Sequence, residues 1–173
     1  MSNTSRLHAL WLFDAAGATL FYREWYRPRN LLATDLSEDA KFIFGIVFSL
    51  DMLAPQLAPE HDASREAGFR RYVTPTYALH HLATLSGLHW VIMTSPTATK
   101  TSQLLDALYE QAYVPHIALN AHVPMGGLIT SEAFQIEVDR IAALYGVQAR
   151  GELTSQVRTA TSAATAAAAP RGT

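Results

Sequence analysis

The chain has 173 residues, 49% of them hydrophobic and 16% charged, with 13 Lys+Arg against 15 Asp+Glu and no cysteine. That length suits one domain with a core large enough to fold unaided, and a net charge of −2 argues against nucleic acid as the main partner. The lack of cysteine excludes disulfides, thiolate zinc sites, cysteine nucleophiles and S-acylation, and fits a cytoplasmic location. The N-terminus is polar and no run approaches the roughly 20 apolar residues that span a bilayer. Ser2 stands where N-myristoylation needs glycine, and there is no C-terminal cysteine to prenylate. A soluble protein is expected, touching membranes only through partners.

Leu7 to Asp14 is a nearly continuous apolar run, the pattern of a strand covered on both faces. Ala15-Ala16-Gly17 makes a turn, and the aromatic-rich Thr19 to Trp25 returns as the second strand of a hairpin. Pro28 ends the ladder. A helix follows, with Asp35 as N-cap, Glu38 at capping-box spacing and Pro55 ending it after about Ala54. Ala58 to Gly68 reads as a polar loop. Phe69 to Thr74 is a short strand broken by Pro75, and Tyr77 to Ala83 pairs with His89 to Thr94 around Ser86-Gly87. A second helix spans about Thr101 to Tyr113. Pro115 to Gly127 reads as irregular, and a third helix starts near Thr130 or Ser131 and carries Phe134, Ile136, Val138, Ile141, Leu144 and Tyr145. Residues 1–150 are expected to form one domain. Residues 151–173, rich in Ala, Thr and Ser, are expected to be a disordered tail, since they hold too little apolar surface to offset the entropy of ordering.

The first helix carries more apolar surface than a sheet can cover. At 100° per residue Leu36, Ala40, Ile43, Val47, Leu50 and Ala54 share one face. Phe42, Ile46 and Leu53 form a second stripe beside it, and Phe44, Phe48 and Met52 a third on the other flank. A helix apolar nearly all round is buried nearly all round. Gly45, at mid-helix, costs about 1 kcal/mol relative to alanine and is tolerated where another backbone comes close. Either loops of the same chain cover the flanks, or a partner protein covers the second stripe.

Chemistry is poorly represented. His80 and His81 are adjacent on a strand and so point to opposite faces, with His89 across the turn. That offers two ligands at most, so no metal site is expected. No serine lies in a Gly-x-Ser-x-Gly elbow, and no Walker loop, GxGxxG or HExxH spacing occurs. Pro124-Met125-Gly126-Gly127 reads as a turn. The arginines at 23 to 29 and at 70 to 71 are local basic spots that read as solvated charges on edge strands and loops, with contact to an acidic partner or anionic lipid as the alternative. No catalytic residue and no cofactor are expected.

These blocks, taken in order, resemble a family. Leu12-Phe13-Asp14, Gly17 and Tyr22-Arg23-Glu24-Trp25-Tyr26-Arg27 closely resemble the opening hairpin of the subunit 1 family of the TRAPP (transport protein particle) complex, in the longin-like sedlin/sybindin superfamily. Phe44-Gly45-Ile46-Val47-Phe48-Ser49-Leu50 resembles that family's first helix, and Tyr77-Ala78-Leu79-His80-His81 with Gly87 its central hairpin. Asn120, Pro124, Gly126, Ser131 and Phe134 fall in the order of its approach to the last helix. Where the family has Glu-Thr-Pro-Thr-Gly at the central turn, this chain has Ala83-Thr84-Leu85-Ser86-Gly87. Where an Asp commonly ends the fifth strand, it has Ser95-Pro96.

The resemblance implies a mixed α/β longin-like fold of order ββαβββαα. The five-stranded antiparallel sheet carries one helix on one face and two on the other. It also implies a non-catalytic subunit of a vesicle-tethering complex that promotes nucleotide exchange on a Rab GTPase. Its partners are then other TRAPP subunits and that GTPase, and its location the cytoplasmic side of endoplasmic reticulum and Golgi membranes. In related longin pairs the first helix and third strand build the dimer. Phe42, Gly45, Ile46, Ser49 and Leu53, with Phe69 and Tyr72, are therefore the expected partner-binding residues. Two other readings stay open: another longin-type protein such as a small adaptor-coat chain, and a small enzyme or ligand-binding domain.

Overall fold

A computed structural model describes residues 6–26, 36–57, 68–122 and 126–145. Five strands form one antiparallel sheet in the order β2-β1-β5-β4-β3: β1 (Leu7–Phe13), β2 (Thr19–Glu24), β3 (Arg71–Val73), β4 (Ala78–Ala83) and β5 (His89–Thr94). Helix α1 (Leu36–Leu57) falls between β2 and β3. Helix α2 (Thr101–Ala107) runs without a break into a π-helical stretch (Leu108–Ala118), and α3 (Glu132–Leu144) closes the domain. This is the longin-like order ββαβββαα.

β1 lies between β2 and β5, and all seven of its residues are buried. It shows no polar alternation because both faces are covered. Ala9, Trp11 and Phe13 face α1, where Ala40, Ile43 and Val47 pack with Leu79, Val91 and Met93. Leu10 and Leu12 face the opposite layer, built with Trp90, Ile92, Leu104, Leu108, Phe134, Val138 and Ile141.

The β1–β2 turn is held by Asp14, whose Oδ1 accepts the N–H of Ala16 (2.9 Å) and of Ala18 (2.8 Å). Gly17 sits there at φ +84°, and a Cβ at this position would lie 2.5 Å from the Phe44 ring. Glycine is thus needed twice, for the left-handed backbone and for the approach of α1.

Three boundaries differ from the sequence expectation. Helix α1 passes Pro55 and is described through Leu57. The proline forfeits one backbone hydrogen bond, yet the helix runs on through it. The second helix does not fray at Tyr113 into an irregular stretch but continues to Ala118 with π geometry. The Leu119 N–H donates to the Val114 carbonyl five residues back, at 2.9 Å. β3 is three residues long, since Thr74 already belongs to a turn in which its N–H donates to the Tyr77 carbonyl (2.8 Å).

Arg23 also departs from a solvated edge charge. Its Nε donates to Asp139 Oδ1 at 3.0 Å and its second guanidinium nitrogen pairs with Oδ2, while Trp25 Nε1 donates to the same Oδ1 at 2.9 Å. That clamp ties β2 to α3. The N-cap expected at Asp35, most of the 58–68 loop, Arg27, Arg29, Pro124 and the boundary near 150 with its tail lie outside the described residues.

Candidate partner-binding surface

Helix α1 divides along the lines its sequence draws. Ala40, Ile43 and Val47 are buried against the sheet, and Leu50 and Ala54 pack partly against the same cluster. On the far side Phe42 is 63% exposed, Phe48 57%, Met52 59% and Leu53 46%. Among the described residues these large side chains stand in the open, although apolar surface gains about 25 cal/mol per Å² on leaving water. The window Glu38–Leu57 is even long and apolar enough, by length and composition, to cross a bilayer. This corrects the expectation that no segment approaches that limit. Lys41, Gly45, Ser49 and Asp51 break the run without lowering its mean hydropathy enough.

The stripe has room at its centre. Gly45 is exposed, and a Cβ added there would meet nothing within 4 Å. Among the described residues no contact accounts for a glycine at that point. Ser49 is also exposed, and its Oγ donates to the Gly45 carbonyl at 2.8 Å. The hydroxyl is thereby spent on its own helix, so this face presents small residues flanked by large apolar ones. Ile46 is half-buried beside them.

The edge strand lies next to this face. Asp51, on α1, accepts the backbone N–H of Phe69 at 2.9 Å, which ties the segment leading into β3 to the helix. Tyr72 pairs in register with Leu79. Leu79 packs beneath α1, and cross-strand partners share a face, so Tyr72 stands on the α1 side of the sheet. It is 41% exposed, with Val73 beside it at 48%. β3 pairs with β4 alone among the described strands, and so turns an open edge outward.

Of the seven expected residues, Phe42, Gly45, Ile46, Ser49, Leu53 and Tyr72 therefore lie on the exposed face of α1 or at the adjoining edge. Phe69 does not and is corrected: it is 7% exposed and stacks on His81 inside the chain's own core, ring centroids 5.7 Å apart. The tether to Asp51 pulls its side chain inward. Phe48 and Met52 belong to the exposed surface and were not among the expected residues; Val73, also exposed, points to the opposite sheet face by strand alternation. Flank position on the helical wheel is the signal for the two on α1.

His81 meets His89, as the turn between their strands suggests. His81 Nδ1 lies 2.9 Å from the Phe69 carbonyl, which can only accept, so Nδ1 carries the proton. Its Nε2 then accepts from His89 Nδ1 at 3.0 Å. Both His81 nitrogens are engaged inside the protein. Burial, the largest cause, holds the His81 pKa below its ordinary value despite the carbonyl partner. His80, on the other face, is held down to about 4 by burial and by the nearby Arg71 cation. Among the described residues no three His, Asp or Glu side chains gather as metal ligands would.

Known proteins share this chain's pattern along most of its length. Trafficking protein particle complex subunit 1 of Homo sapiens is 29% identical over 133 residues, covering 77% of this chain and 89% of the human one. The protein of the same name from Dictyostelium discoideum is 27% identical over 128 residues, covering 74% and 88%. Trafficking protein particle complex subunit BET5 of Saccharomyces cerevisiae is 28% identical over 123 residues, covering 68% and 76%. The model of the Sybindin-like family matches residues 7–144, from the start of β1 to the end of α3, and the chain belongs to that family.

Proposed function

We propose that this chain is a non-catalytic core subunit of a TRAPP vesicle-tethering complex, working on the cytoplasmic side of the endoplasmic reticulum and Golgi. The observation that carries the reading is the open face of α1, continued by Tyr72 at the free β3 edge. A domain with that much uncovered apolar helix is fitted to be covered by a sister subunit. The names of its relatives support the complex.

Within such an assembly the chain helps build the surface that promotes nucleotide exchange on a Rab GTPase. Exchange needs no acid, base or nucleophile from this subunit. The assembly has only to bind the nucleotide-free GTPase more tightly than the loaded one, and by linkage the nucleotide is then held less tightly. The chain contributes shape and apolar area from Phe42, Gly45, Ile46, Ser49, Leu53 and Tyr72.

The test is affinity purification of the tagged full chain from its own cells, unaltered and as the double variant Phe42→Asp with Leu53→Asp. The unaltered chain brings down TRAPP subunits, and the preparation speeds release of labelled GDP from a Rab. The double variant remains folded by circular dichroism and loses both. Recovery of adaptor-coat chains instead of TRAPP subunits, or full assembly by the double variant, overturns the reading.

A further inference from the structure

A relay of contacts leaves helix α1, crosses the approach to the sheet edge and returns to α1. Asp51 accepts the Phe69 N–H at 2.9 Å. The Phe69 carbonyl accepts from His81 Nδ1 at 2.9 Å, and His81 Nε2 accepts from His89 Nδ1 at 3.0 Å. The His89 ring meets Phe44 edge-on, centroids 5.8 Å apart. Phe44 and Asp51 stand about two turns apart on α1. The relay thus grips the helix at two points and holds the segment leading into β3 between them. That segment needs the hold, because β3 itself is only three residues long.

The histidine pair has room for one extra proton. It enters at His89 Nε2, the one ring nitrogen of the pair that makes no hydrogen bond among the described residues. The bridge survives, since His89 Nδ1 goes on donating, and the bridging proton can pass to His81 Nε2 without loss of the bond. A second proton has no place. Both facing nitrogens would then carry hydrogens across 3.0 Å, with two cations side by side. His81, 2% exposed, can take that proton only by swinging out, which breaks its bond to the Phe69 carbonyl and its stack on the Phe69 ring. Among the described residues, the charged groups that face the pair from other elements are Asp51 on α1 and Arg70 ahead of β3. The carboxylate balances one added charge, and the guanidinium opposes the second.

We infer that the His81–His89 pair is a proton-operated latch on the β3 edge, closed with one extra proton or none and open with two. The latch does not depend on the reading given above for the α1 face. His89→Asn separates it from ordinary acid loosening. The asparagine amide reproduces the Nδ1 donor, and by flipping it offers its oxygen instead, so a protonated His81 is satisfied in place.

Backbone amide exchange of the full chain is followed at about pH 7 and about pH 5 and corrected for the intrinsic rate. Freed imidazoles titrate near 6.5, so in the unaltered chain the open state binds one proton more than the closed one. Local opening around Phe69 to Val73 therefore rises about tenfold or more over that span, while β1 stays protected. In His89→Asn the closed state already holds the proton, and the rise stays within about threefold. His80, on the other face of β4, is the same in both chains and cancels from the comparison. An equal rise in the two chains, or no rise in the unaltered one, overturns the latch. So do imidazole nitrogen NMR shifts of the unaltered chain, at about pH 8, that place the proton of either ring on Nε2.

Discussion

Phe42 and Ile43 are neighbours on α1 with opposite surroundings, 63% and 1% exposed. A phenylalanine offers about 200 Å² of accessible surface. Covering the exposed share of Phe42 with a partner removes about 120 Å² from water, worth about 3 kcal/mol. Phe42→Ala is therefore expected to weaken association with the partner by roughly a hundredfold. It should leave the chain's own stability within about 0.5 kcal/mol, since little of the ring packs internally. Ile43→Ala reverses the pattern, costing about 3 kcal/mol of stability by opening a cavity between α1 and the sheet. Urea unfolding of the isolated variants reads the stability change. Titration calorimetry against the co-purified sister subunit reads the affinity. Unchanged affinity in Phe42→Ala, or a stability loss in it comparable to that of Ile43→Ala, refutes the division of α1 into an inward and a partner-facing side.

Gly45→Ala is expected to raise the isolated chain's stability by about 1 kcal/mol, because the helix interior gains alanine in open space, while weakening partner binding measured in parallel. A gain in both would show that no second backbone approaches there. Gly17→Ala meets both a φ of +84° and the Phe44 ring, and should cost about 2 kcal/mol or more in chemical denaturation. Adding Phe44→Ala removes the clash but not the backbone penalty, so part of the loss should return relative to Phe44→Ala alone. Stability should also fall in mild acid. His80 titrates near 4 when folded and near 6.5 when unfolded, so between those values the unfolded chain binds the extra proton. The contribution is fully present above about pH 6.5 and is lost as pH drops toward 4, at up to about 1.4 kcal/mol per pH unit. His8 and His81, both held below the ordinary value chiefly by burial, add in the same direction. Urea midpoints that stay flat from about pH 7 to about pH 5 would contradict this.

Most of the fold was legible because it rests on local periodicity. The β1 run showed no polar alternation because both its faces are packed, and the wheel of α1 separated Ile43 and Val47 from Phe42 and Leu53 correctly. What was hidden depends on contacts or geometry outside those templates. In the π-helical stretch Leu108, Ala112 and Ile117 all pack toward the same core, whereas a turn of 3.6 residues would set Ile117 opposite Leu108. A 3.6-residue template therefore loses the helix where it continues. The extent of β3 was overread because Thr74 is drawn into a turn by Tyr77. Phe69 looked like an edge-strand aromatic, and only the hydrogen bond its N–H donates to Asp51, eighteen residues earlier, ties it to α1. The clamp of Arg23 and Trp25 on Asp139 joins positions more than a hundred residues apart, beyond the reach of any spacing rule.

The two margins of the sheet are not equivalent. At β2 the Leu20 carbonyl already receives the Ile129 N–H at 2.7 Å, so a segment from later in the chain lies along that border. Among the described residues the border at β3 is bare and only three residues long. Growth by strand addition is thereby polarised: a visitor can dock on one side, for a few rungs, and finds no matching rim on which a third molecule could continue. Strand addition at this border alone would stop at a closed pair, which guards against runaway fibres without a charged gatekeeper on every rung.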